Sequence, residues 1–211
     1  VIPGRYLPLG AMQSAGASLD WLAGTLEVSR GPELEALIGA AAQVGAASEG
    51  LFFLPYLMGE RAPIWDTRAR GTFVGLARHH GRAHMARAIL EGVAFSLHSI
   101  LLSLRDVAGP DQPIDAIEAI GGGARSDTWL GLMADTWGVP VRRRTIVDEA
   151  NSLGAAVVGG IAVGLIDDWA AARSLSEVDA TFEPDARRHG RAAEDYERFA
   201  DLYARLRTWF R

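Results

Sequence analysis

An α/β fold is what this sequence predicts, and three observations carry it. Short apolar or alternating runs lead into turns, glycine-rich at 121–123, and then into helical periodicity, as in 114–133 and 139–158. A long amphipathic stretch from about Ala83 to Val107 keeps Met85, Ile89, Val93, Leu97, Ile100, Leu101 and Leu104 on one side. At 211 residues, 49% hydrophobic and 22% charged, the chain can build a large core without staples. Strand, turn and helix repeated in this way is the order of an α/β domain. No linker or repeat divides the chain, so one domain over 1–211 is expected.

The elements follow in order. Residues 1–16 form a short extended piece and a small-residue turn, and Ser18 reads as the N-cap of a helix through Leu19, Leu22 and Leu26. Gly31-Pro32 restarts the chain, after which Leu34, Leu37, Ile38 and Ala41 recur at helical spacing. Leu51 to Pro55 is a buried-strand run, followed by a loop from Met58 to Asp66; a loop that long is functional or tightly packed. In it, Glu60 and Arg61 anchor their own loop or touch a substrate. Gly71 to Leu76 is another short strand, and Gly109-Pro110 ends the long helix, whose first turn holds His84. Ile114 to Ile120 alternates as a strand into Gly121-Gly122-Gly123, and Ser126 opens a helix through Trp129, Leu132 and Met133. Val139-Pro140-Val141 begins a strand, and Asn151 starts a small-residue helix through Val158, with Asn151 or Ser152 as its cap. The tail holds a strand over Glu177 to Phe182 and a charged helix from about Arg191 to Arg211.

Several classes of function are excluded. With no cysteine there is no disulfide, thiolate or cysteine-ligated zinc, which fits a cytoplasmic protein. The apolar runs, including Ile89 to Leu104, are too short or too interrupted by charge to span a membrane. Net charge is -5, and the clusters Arg142-Arg143-Arg144 and Arg187-Arg188 are short, so no nucleic acid is expected as partner. The five histidines show no metal-ligand spacing, and neither a Ser-His-Asp order nor an acid–base carboxylate pair stands out.

The informative stretch is Gly121-Gly122-Gly123-Ala124-Arg125-Ser126-Asp127. Glycines let a ligand approach the backbone, and a helix N-terminus presents free N–H groups, so a nucleotide could lie across this turn. A tight turn that merely packs helix on strand is the competing reading. Asn151 to Ala156 is a second helix start, with Gly154 and Ala155 allowing close approach of another element.

Gly71, Phe73, Gly75, Leu76, His84, Met85, Ala88, Ile89, Leu90 and Glu91 fill a pattern that resembles the second signature of the FGGY carbohydrate kinases. Ser18 to Trp21, Leu54 to Leu57, Gly59 to Pro63, Gly121 to Ala124 and Leu153 to Ala156 look like blocks of that family, in its order. Xylulose kinases resemble the chain most, and gluconate kinases share the Gly59 to Pro63 loop.

The resemblance implies an actin-like, ribonuclease-H-like fold, a mixed sheet with helices on both faces. It implies ATP with Mg2+ as cofactors, and phosphorylation of a sugar, D-xylulose first. Gluconate, ribulose or another polyol, or a non-catalytic actin-like ATP-binding module, are the alternatives. Gly122, Gly123 and Ala124 would line adenine and ribose, and Asp127 would sit where some relatives place an Asn near the base, although an acid cannot donate the amide's hydrogen bonds. The chain would be the C-terminal, nucleotide-binding domain of a longer parent without its first strands, since it begins Val1-Ile2-Pro3-Gly4. The sugar-binding domain, the catalytic Asp and the phosphate loops would lie outside it, leaving this piece inactive alone. Partners would be sugar, ATP and that missing domain, with a homodimer left open.

Overall fold

The computed structural model describes residues 6–169 and 174–210. Its spine is the helix α3, Arg82–Ala108, which the apolar periodicity of the sequence encodes over almost the same span. Ala86, Ala88, Ile89, Leu90, Val93 and Ala94 are almost fully buried along it. Gly81 precedes it, and the Nδ1 of His84 accepts the Gly81 N–H at 3.2 Å, so His84 belongs to the first turn as expected. Gly109, at φ 76, ends it. By length and apolarity alone α3 could cross a bilayer, contrary to the expectation from its charges; its burial, 72% over the most apolar stretch, marks it as a core helix.

Helices α1 (Gly16–Thr25) and α2 (Pro32–Ala42) pack on one flank of α3. Ser18 is not the cap of α1; it lies inside the helix, and its buried hydroxyl donates back to the Ser14 carbonyl. Pro32 sits in the first turn of α2, where its missing N–H costs nothing. Strands β1 (Phe52–Leu54) and β2 (Thr72–Val74) form an antiparallel pair against α3, with Phe53 and Phe73 ring centroids 4.5 Å apart. Between them the long loop closes on itself through a bridge between Glu60 and Asp66.

The second sheet has the order β3-β4-β5: β3 (Ile117–Ala119) runs parallel to β4 (Val141–Arg144), and β5 (Val178–Phe182) runs antiparallel to β4. This is the mixed sheet expected, and α4 (Asp127–Trp137) packs on β4 and β5. Two buried indoles bolt α4 to α3: the Nε1 of Trp129 donates to the Leu90 carbonyl at 3.1 Å, and that of Trp137 to the Ala94 carbonyl at 3.0 Å. Helix α5 (Ala150–Ala162) starts one residue earlier than expected, from Glu149, and no Asn151 or Ser152 side chain caps it. Helix α6, Ala186–Leu206, starts five residues before the expected Arg191, because Asp185 caps it by accepting the Arg188 N–H at 2.9 Å. It ends at Leu206, short of the expected Arg211: residues 207–210 have already left the helix, and Arg211 itself lies outside the described residues.

Phe95, Tyr196 and Phe199 join α3 to α6. His98 sits there edge-on to Tyr196, with its Nδ1 buried and without a partner among the described residues. Burial, helped by Arg105 and His189, pulls its pKa from 6.5 down to about 4. The unfolded chain therefore takes up a proton first, so stability that is present above pH 6.5 is lost as pH falls toward 4. Discounted for the partial exposure of the ring, this amounts to about 1–2 kcal/mol. His98→Phe should flatten that part of the acid limb, read as a smaller difference between melting temperatures at pH 7 and pH 4.5 than in the unaltered chain.

Candidate functional site

The glycine turn begins where β3 ends. Gly121, at φ 79, lets the chain double back, and its N–H is tied to the Val147 carbonyl at 3.0 Å. A single turn of 3-10 helix, Gly122–Arg125, follows, and the Ser126 hydroxyl caps α4 by accepting the Trp129 N–H at 3.2 Å. Nearby, Arg125 pairs with Asp148.

A cleft of about 410 Å³ opens between this turn and α2. Gly122, Arg125, Ser126, Asp127 and Thr128 form one lip; Gly31, Leu34, Glu35, Ile38 and Gly39 form the other. Of the four residues expected at a nucleotide, Gly122 and Asp127 line the cleft. Ala124 lies behind it, 2% exposed, and Gly123 backs onto Trp129, 3.3 Å from where a Cβ would stand. A Cβ at Gly122 would meet nothing within 4 Å, so the open face of the turn is at Gly122. The left-handed backbone of the turn is at Gly121, not at Gly123.

The Asp127 carboxylate is held by Arg143. Its Nη1 reaches Asp127 Oδ1 at 2.6 Å and the Ala124 carbonyl at 3.4 Å, and its Nε reaches Asp179 Oδ2 at 2.7 Å. The guanidinium also lies 5.8 Å from the Phe182 ring centroid. Arg142 and Arg144 both pair with Glu118 on the neighbouring strand. The three arginines that read as a basic cluster are thus cross-strand partners of acids, and nothing in their run betrays those partners.

A second, apolar cleft of about 480 Å³ lies where α5 stands off the ends of β3 and β4. Ile120, Ile146, Leu153, Gly154, Val157 and Trp169 face it. Only Val157 of α5 is buried, although the helix is almost entirely apolar. This is where Gly154 sits, without the tight packing that its small neighbours suggested.

Glu60 anchors its loop, but not through Arg61's guanidinium. Its Oε1 accepts the N–H groups of Gln13 at 2.8 Å and Arg61 at 2.7 Å, while Oε2 is buried without a partner among the described residues. Burial raises its pKa despite those two donors. Sequence reasoning missed the α2 lip and Arg143, because a helix face and a strand arginine carry no motif until the fold sets them beside the turn.

Residues 1–163 match the C-terminal domain of the FGGY family of carbohydrate kinases. This chain belongs to that family. It is 34% identical over 203 residues to xylulose kinase of Staphylococcus epidermidis, covering 96% of this chain and 39% of that protein. It is 38% identical over 181 residues to glycerol kinase of Myxococcus xanthus, covering 85% of this chain and 35% of that one. Among solved structures, ligand-bound xylulose kinase from Lactobacillus acidophilus superposes with a TM-score of 0.82 at 30% identity, over 92% of this chain and 39% of that one. Plasmodium falciparum glycerol kinase with ADP gives 0.75 at 25% identity, over 92% and 38%. The fold is accordingly the actin-like α/β fold of these kinases. The chain spans about two fifths of the length of the relatives it matches.

Proposed function

We propose that residues 1–211 are the C-terminal, nucleotide-binding domain of an ATP-dependent sugar kinase, and that the whole enzyme phosphorylates D-xylulose in the cytoplasm. The observation that carries this reading is the cleft between the glycine turn and α2. Gly122 offers open backbone, Leu34 and Ile38 offer apolar walls for a base, and Asp127 offers an acceptor at its edge. Gly123 and Ala124 act from behind, by fixing the turn. Mg2+ would arrive on the nucleotide's phosphates and supply charge neutralisation there.

The remainder of the kinase, with its sugar site and catalytic base, meets the unfinished side of this domain. β3 is an edge strand among the described residues, so one row of its backbone N–H and C=O groups is open to pairing with a further strand. The apolar α5 beside it, with Val163 71% and Leu165 83% exposed just beyond, leaves room for further strands.

Two substitutions test the cleft. Gly122→Val should lower ATP affinity at least about tenfold with little change in melting temperature, because the added side chain has open space around it. Gly123→Val should lower the melting temperature by several degrees, through crowding of Trp129. Equal ATP affinity in a folded Gly122→Val variant, by calorimetry, would sink the assignment. For the acceptor, a coupled assay of the full-length kinase should favour D-xylulose over gluconate, ribulose and glycerol; preference for any of these would overturn that part.

A further inference from the structure

We propose that Arg143 is the positioning residue of the nucleotide cleft, and that through it Asp127 selects purines carrying an exocyclic amine. The inference rests on the nucleotide reading of the cleft and adds a residue that does not itself line it. Arg143 is on β4, with its side chain only 20% exposed, and its donors run in three directions: to Asp127 at the start of α4, to the Ala124 carbonyl inside the turn, and to Asp179 on β5. A planar guanidinium can serve all three at once with its geometry fixed; an ammonium cannot.

The consequence for Asp127 is specific. Alone, a carboxylate 71% exposed at a helix start would sample several rotamers in water. Clamped by Arg143 through Oδ1, it has one preferred orientation, and Oδ2 has no other protein partner among the described residues. A fixed carboxylate oxygen accepts hydrogen bonds and donates none. Beside the apolar Leu34 and Ile38, it therefore rewards a base edge that carries an N–H donor, as the 6-amino group of adenine does. A site built for such a donor discriminates against the analogue lacking it.

The test compares ATP with purine riboside triphosphate, which differs only by loss of the 6-amino group, by calorimetry on the full-length kinase. The unaltered chain should favour ATP about tenfold. Arg143→Ala should bring that ratio to within about threefold of unity, as should Asp127→Ala, and the double variant should change the ratio no further. Arg143→Lys, kept as a milder variant should alanine not fold, should lose most of the preference too. In the free protein, hydrogen exchange in Arg143→Ala should quicken at the amides of 122–127 and remain as before along α3. If both nucleotides weaken alike in a folded variant and the ratio holds, Arg143 is only a structural tie and the proposal fails. If the unaltered chain binds ATP but shows no preference, the role given to Asp127 fails while the cleft assignment stands. If it binds neither nucleotide, the cleft assignment itself falls, and this inference with it.

Discussion

Replacing Arg87 by Met is expected to cost about 3–5 kcal/mol of stability at neutral pH, since it strands a buried carboxylate. Glu91 is 6% exposed, one turn along α3 from Arg87, whose Nε reaches it at 2.8 Å; the Ser48 hydroxyl donates to its other oxygen at 3.2 Å. Burial raises the Glu91 pKa, while Arg87 and Ser48 pull it back. Without Arg87 the folded-state value rises further, so the folded protein holds a proton that the unfolded chain has released. Stability of the variant should therefore recover as pH falls into the range where Glu91 protonates, the reverse of the His98 effect. Arg87→Met combined with Glu91→Gln should regain most of the loss at neutral pH. Urea denaturation of the three proteins at pH 7 and pH 5 gives the answer; a single variant as stable as the parent at pH 7 would show that water reaches the pair.

Gly92→Ala should cost about 3 kcal/mol, although alanine normally improves a helix by about 1 kcal/mol over glycine. The reason is the neighbour: a Cβ at Gly92 would stand 2.1 Å from the Phe53 carbonyl oxygen, so β1 would have to leave α3. Both are in the core, and the strand cannot retreat without opening the contact that Phe53 fills. A chemical-denaturation midpoint at or above that of the parent would show that the strand shifts freely.

Gly75 has the same character: φ is 93, and a Cβ there would be 2.2 Å from the Gly50 carbonyl oxygen. With Ala88, Ile89, Leu90 and Glu91 buried on the facing helix, the ten-residue signature that identifies the family describes how β2, α3 and β1 fit together. That is why family and fold class were legible from sequence: close-packed seams tolerate few substitutions, so they leave long, constrained patterns. The ends of elements were less legible. Ser18 looked like a cap because serine suits that role, yet inside a helix its hydroxyl can return to a carbonyl four residues back. The site was legible only on the side where glycines mark it. Leu34 and Ile38 have the spacing of any amphipathic helix, and Arg143 differs from its neighbours only in what lies opposite.

The two lips of the proposed nucleotide cleft share one mount. α2 packs directly on α3, and the glycine turn leads into α4, which the Trp129 and Trp137 indoles fasten to the same helix. Neither lip can hinge without tearing a buried contact, so this domain behaves as a fixed jaw. On the proposed reading, a nucleotide entering it would meet a surface already in its final shape and lose little affinity to ordering the protein. If the whole protein is the kinase proposed above, any swing that shuts it around its substrates must carry this unit along as a rigid body, with the pivot lying outside it.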